Sequence, residues 1–161
     1  MKILKLAAIS ATTIVISVVC LASIHFYNTV PIETDTTLTV PTLLQYTNDE
    51  RSKAGLPALA SNPKLDLSAQ EKCNDIATRK YWSHDTPEGV KPWVVIHKYT
   101  DYFGAGENLA KEFVNSHQVI DGWMKSPTHR ENMLNPDYDN VGYAICGTQP
   151  TIVVQHFIDS R

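Results

Sequence analysis

The order of apolar patterns along the chain predicts an α+β domain. Apolar residues at helical spacing dominate from Pro41 to Lys125. Two strand-like runs, Val141–Cys146 and Thr151–Phe157, close the chain, and Gly147-Thr-Gln-Pro150 joins them as a hairpin. Helices first and antiparallel strands last is the signature of this class. The 121 residues from Pro41 to Arg161 suit one domain with its own core, and the 43% hydrophobic and 19% charged content of the chain is that of a globular protein.

Residues 1–28 are of another kind. Lys2 and Lys5 precede an uncharged run of nineteen residues, Leu6 to Ile24, long enough to span a bilayer. Cys20-Leu-Ala22 is a mediocre cleavage site, and Val19 before Cys20 argues against a lipoprotein signal. The stretch therefore reads as a signal anchor in preference to a cleaved signal peptide, with a membrane segment at about 6–24. In either case residues 29–161 end up outside the cytoplasm. Residues 29–40 read as a linker, with five threonines, Pro31, Glu33 and Asp35.

Without Lys2 and Lys5, twelve basic residues face seventeen acidic ones, a net charge of −5. Bulk charge will not hold such a domain to nucleic acid or anionic lipid, and there is no basic-aromatic patch. Cys20 lies in the apolar segment. Cys73 and Cys146 remain in an oxidising compartment, where pairing is the default. A Cys73–Cys146 disulfide is expected.

The domain is expected to begin with a helix over 41–53, with Leu43, Leu44 and Thr47 on one face, Asp49, Glu50 and Arg51 on the charged side, and Gly55 as the stop. The next helix has the clearest start: Asn62 caps, Pro63 takes the first position and Asp66 follows. Its apolar stripe runs Leu65, Ala69, Cys73, Ile76, Ala77, so Cys73 points inward. Tyr81 to Gly89 reads as a loop and Pro92 to Tyr99 as a short helix. Tyr102 to Ala110 reads as a glycine-bearing passage in which Gly104 and Gly106 let the chain run close to its neighbours. A helix capped by Ser116 runs to Lys125. Ser126-Pro127 stops it and opens another, with Ser126 as cap and Pro127 at the first position, so His129 lies in the first turn.

Three ionisable residues stand in distinctive settings: His84 after Tyr-Trp-Ser, Glu107 in Gly-Ala-Gly-Glu-Asn, and His129 after Ser-Pro-Thr. No short metal motif such as His-Glu-x-x-His occurs, so spacing alone does not bring them together. The order of the surrounding motifs does more. Leu44-Gln-Tyr-Thr-Asn-Asp-Glu-Arg-Ser-Lys-Ala-Gly-Leu56, Tyr81-Trp-Ser-His84, Gly106-Glu-Asn-Leu-Ala110, Trp123-Met-Lys-Ser-Pro-Thr-His-Arg-Glu-Asn-Met-Leu134 and Val141-Gly-Tyr143 resemble, in that order, the CAP superfamily (also called SCP), in its compact bacterial-type branch. The resemblance implies an α-β-α sandwich with helices on both faces of a small antiparallel sheet. It also implies a surface cleft carrying two histidines and two acids. Matched residue by residue, these are His84, His129 and Glu107, with the second acid replaced by Ser126.

Two imidazoles and a carboxylate form a three-ligand set for Zn²⁺. In a second arrangement, more common in the family, Glu107 orients a histidine and His84 and His129 alone hold the metal. A third reading has Glu107 and Asn108 pinning the loop with no metal. Trp82, Trp93 and Trp123 read as core or cleft wall, and Glu131 and Asn132 as serving their own helix. Arg130 is a candidate partner for an acid near the cleft. His25, His97, His117 and His156 have no motif support. No nucleophile elbow surrounds Ser126, which argues against a serine hydrolase.

The function these readings imply is that of an exported, membrane-anchored monomer acting as a binding module. Its cleft would take a divalent metal and a lipid, glycan or peptide. The alternative is a metal-assisted hydrolase of peptide or cell-envelope material, with His84, Glu107 and His129 as the catalytic candidates. The missing second acid at Ser126 weighs against it.

Overall fold

The computed structural model describes residues 36–161. The anchor assigned to 1–28 and most of the linker lie outside the described residues. Among the described residues no helix is long and apolar enough to cross a membrane.

The chain folds as α1 (Val40–Lys53), β1 (Ala60–Ser61), α2 (Pro63–Arg79), α3 (Pro92–His97), β2 (Gly104–Lys111), α4 (Ser116–Lys125), α5 (Pro127–Met133), β3 (Asn140–Cys146) and β4 (Ile152–Asp159). The sheet order is β1-β3-β4-β2. The β3–β4 hairpin and the β2–β4 ladder are antiparallel, as the sandwich requires, and β1 adds a two-residue parallel pair on β3.

Strand β4 is central, and its side chains alternate between two layers. Val153 and Phe157 pack with Leu43 of α1, Trp123 of α4 and Met133 of α5. Ile152 and Val154 pack with Ala69, Cys73 and Ile76 of α2, and Ile158 with Leu65 of α2 and Ile96 of α3. Helices therefore cover both faces, and β4 is buried along almost its whole length for that reason. The disulfide ties α2 to β3 through Cys73 and Cys146, with Cα atoms 6.0 Å apart. Gly142 lets α2 sit directly on β3: a Cβ there would lie 2.4 Å from the Leu65 backbone carbon.

The caps follow the sequence at α2, where the Asn62 side chain accepts from Lys64 N. At α4 they do not. Asn115 is the cap and accepts from Gln118 N, while Ser116 is the first helical residue, buried and hydrogen-bonded to Thr39 and Thr42. Arg51 is also not on a charged face. It is buried because its guanidinium donates to four carbonyls, those of Pro57, Met133, Asn135 and Tyr138. These bonds tie the end of α1 to the end of α5 and the loop beyond it.

The largest departure from the sequence reading is β2. The glycine-bearing passage is a strand, paired along its whole length with β4. Three small residues at its start hide the period-two pattern, and the pairing that makes it a strand lies about fifty residues away in sequence. Gly106 does serve close approach: a Cβ there would lie 2.7 Å from the Tyr138 hydroxyl.

Candidate functional site

Glu107 lies on β2 in register with His156 of β4, so both side chains point to the α2 face. Its side chain is 2% exposed. Oε2 lies 3.0 Å from His156 Nε2, and Oε1 lies 2.7 Å from His84 Nδ1. Burial raises the Glu107 pKa, but the hydrogen bonds from His156 and His84, and the positive charges of His156 and Lys72, outweigh it and hold the carboxyl below its ordinary value. A carboxylate only accepts, so His84 donates through Nδ1 and His156 through Nε2. Ser68 Oγ stands 2.8 Å from the other His156 nitrogen and closes the row at its buried end.

His84 sits in the loop after α2, and its side chain is 52% exposed. Lys72 sets its position. Although a lysine, Lys72 is buried, and its Nζ donates to Ser83 O (3.0 Å), His84 O (2.5 Å) and Tyr81 Oη (3.1 Å). Burial lowers the Lys72 pKa, opposed by the charge of Glu107. With Nδ1 donating to Glu107, the Nε2 atom of neutral His84 carries the free lone pair of an exposed ring.

His129 comes from α5, which packs on β2 through two asparagines. Asn108, fully buried, donates to His129 O (3.1 Å) and Gln155 Oε1 (3.0 Å) and accepts from Asn132 Nδ2 (2.9 Å). Asn132 also donates to Glu107 O at 3.1 Å. The network runs on through Gln155 to Tyr143 and Thr47 in the core. His129 is half-buried, and desolvation, then the charge of His84, lower its pKa from 6.5. It is therefore neutral at neutral pH, the form that ligates a metal.

The structure thus joins His84 to Glu107 directly, and it ties the backbone of His129 to the same strand through Asn108. It does not join Ser126 to them. Ser126 occupies the α5 cap position without a side-chain cap bond, and its Oγ lies 3.5 Å from Thr128 Oγ1. The set His84, Glu107, His129 does not form as three metal ligands, and no such cluster of three or more His, Cys, Asp or Glu side chains occurs among the described residues. Both Glu107 oxygens already serve imidazoles. Arg130 makes no ion pair among the described residues, and Asn132 serves β2 rather than its own helix. Trp123 is core, donating to Leu109 O, Trp93 stands in the wall of the cleft, and Trp82 is exposed.

Beside the His84–Glu107 pair opens a cavity of about 330 Å³. Pro92, Trp93, Ile96 and Ala105 line its apolar side, and Asn132, Asp85, His84 and Glu107 its polar end.

The sequence reading missed the roles of His156 and Lys72, and it placed Asn132 in the service of its own helix. The signal for His156 was its parity with Val154 and Ile158 on an apolar strand. For Lys72 it was a charge seven residues after Leu65, on the inward stripe of α2.

The sequence model described as the cysteine-rich secretory protein family (CAP) matches residues 44–157. YkwD of Bacillus subtilis is 33% identical over 119 residues, 68% of this chain and 46% of YkwD, so the chain spans under half of that relative. Among solved structures, an outer surface protein of Borrelia burgdorferi aligns with a TM-score of 0.70 and 26% identity, covering 75% of this chain and 92% of that one. An extracellular protein containing an SCP domain from Bacillus anthracis aligns with a TM-score of 0.70 and 26% identity, covering 74% and 40%.

Proposed function

The chain belongs to the cysteine-rich secretory protein (CAP) family, and from that premise we propose that it acts outside the cytoplasm as a binding module. Its cleft would take a divalent metal, Zn²⁺ by donor chemistry, together with a ligand of lipid, glycan or peptide chemistry. The location rests on the N-terminal apolar segment and on the likeness to an outer surface protein and an extracellular protein.

One observation carries the reading: the 2.7 Å contact between His84 Nδ1 and a buried carboxylate. A carboxylate on one imidazole nitrogen fixes ring and tautomer and raises the basicity of the other nitrogen, the usual support of a metal-binding histidine. His84 and His129 would hold the metal, and the metal when bound would supply a Lewis-acid position for a ligand oxygen. Glu107 orients, His156 and Lys72 keep it ionised, and Asn108 holds the backbone of His129.

The same geometry weighs against the hydrolase alternative. A general base must be free to take a proton near neutral pH. Glu107 has both oxygens engaged and a pKa held below the carboxylate range.

Calorimetric titration with Zn²⁺ tests the proposal. The native chain should give a saturable heat that a His84→Ala/His129→Ala double variant loses. Equal heats from the two proteins would sink the metal site. Peptide or envelope hydrolysis abolished by Glu107→Gln in a folded protein would favour the alternative.

A further inference from the structure

We propose that the cleft takes an extended peptide, added as a strand to the free edge of β2. The inference rests on the binding role above and names the chemistry of its ligand. Strand β2 is the last of the sheet, so the backbone groups on its outer side have no strand to meet.

Which groups point outward follows from the hydrogen bonds. Glu112 N donates to Thr151 O, so even-numbered residues of β2 bond to β4 and odd-numbered ones face away. Two outward carbonyls are capped by side chains: Leu109 O accepts from Trp123 Nε1, and Glu107 O from Asn132 Nδ2. Further along the edge the capping stops. The N–H and C=O of Ala105 and the N–H of Glu107 have no partner among the described residues.

Those three groups lie where the cavity opens, since Ala105, Gly106 and Glu107 line it. Along the edge they read donor, acceptor, donor, which matches the acceptor, donor, acceptor of an extended peptide segment. Pro92, Trp93 and Ile96 form an apolar wall for one of its side chains, with Trp93 50% exposed. The volume, about 330 Å³, is at the low end for a ligand pocket and suits a side chain with its peptide units. The acyl chain of a lipid would leave the outward N–H groups unmet. A sugar would meet them without using their spacing.

The test uses ¹⁵N-labelled protein and acetyl-Thr-Val-Thr-Val-Thr-Val-Thr-amide. Peptide at about 1 mM should shift the Ala105 and Glu107 amide resonances downfield and slow their exchange, with Kd in the millimolar range or tighter. The same peptide with every interior nitrogen methylated should bind at least about tenfold more weakly. Ala105→Pro removes the outward donor without removing a ladder bond, a change that edge strands tolerate, and should lower affinity similarly. If that variant proves unfolded by circular dichroism, the methylated peptide decides. Three results overturn the inference: no shift with peptide, equal binding of the methylated peptide, or shifts confined to a chito-oligosaccharide. Zinc is titrated in parallel into the native chain. Zinc binding without peptide binding overturns this inference alone, and peptide binding without zinc leaves it standing while removing the metal site.

Discussion

Replacing Lys72 by Met is the sharpest test of how His84 is held. Met keeps the length and apolar stem of the side chain and removes the ammonium. Three hydrogen bonds vanish, to Ser83 O, His84 O and Tyr81 Oη. Bonds from a charged donor are worth about 1.5–3 kcal/mol each, but their sum overstates the loss. Tyr81 Oη keeps Asp75 as acceptor at 2.6 Å, and the Ser83 and His84 carbonyls belong to exposed residues where water can replace Nζ. Removing a cation whose pKa burial has lowered also returns desolvation energy. The net expectation is a loss of about 2 kcal/mol, or about 8 °C in midpoint for a domain of this size. Urea and thermal unfolding measure it. A second readout isolates the positioning role: long-range ¹H–¹⁵N spectra of His84 should show the Nδ1–H tautomer in the native chain and a solvent-like mixture in the variant. A loss below about 0.5 kcal/mol with the tautomer unchanged would refute the reasoning.

Glu107→Gln probes the ionised carboxylate. A depressed carboxyl pKa contributes stability that is fully present above its ordinary value of 4.5 and is lost as pH falls through the lower folded value. Urea midpoints from about pH 6 to about pH 3 should show the gap between native and variant protein closing below 4.5, and a constant gap would contradict the assignment. Removing the disulfide with Cys73→Ser/Cys146→Ser opens a loop with a sequence separation of 73 and should cost about 4 kcal/mol, read as a fall in thermal midpoint that reductant reproduces in the native chain. Asn108→Ala strands Gln155 Oε1 and frees the His129 backbone, for a loss of about 3 kcal/mol. It should also weaken zinc binding, as calorimetry can read, although Asn108 does not touch the proposed metal position.

Much of the site was legible as motif and little of it as geometry. His84, Glu107 and His129 announce themselves by their neighbours: Tyr-Trp-Ser, Gly-Ala-Gly and Ser-Pro-Thr. The partners that give them chemistry do not. His156 reads as one residue of an apolar strand until the register sets it opposite Glu107. Lys72 is one charge on an amphipathic helix until the carbonyls of the 81–84 loop meet its ammonium. Arg51 shows the same effect on the other layer, because the carbonyls that bury it come from the end of α5 and the following loop.

The sequence by itself determined the helix starts at Asn62-Pro63 and Ser126-Pro127, the β3–β4 hairpin and the pairing of Cys73 with Cys146. Caps, proline geometry, short turns and an oxidising compartment act over a few residues or on composition, so they are written locally. Tertiary structure alone decided that Gly104–Lys111 is a strand, that Glu107 lies between two imidazoles and that Lys72 and Arg51 are buried as cations. Each of those depends on groups dozens of residues away, and a polar side chain enters a core only where such groups converge to satisfy it.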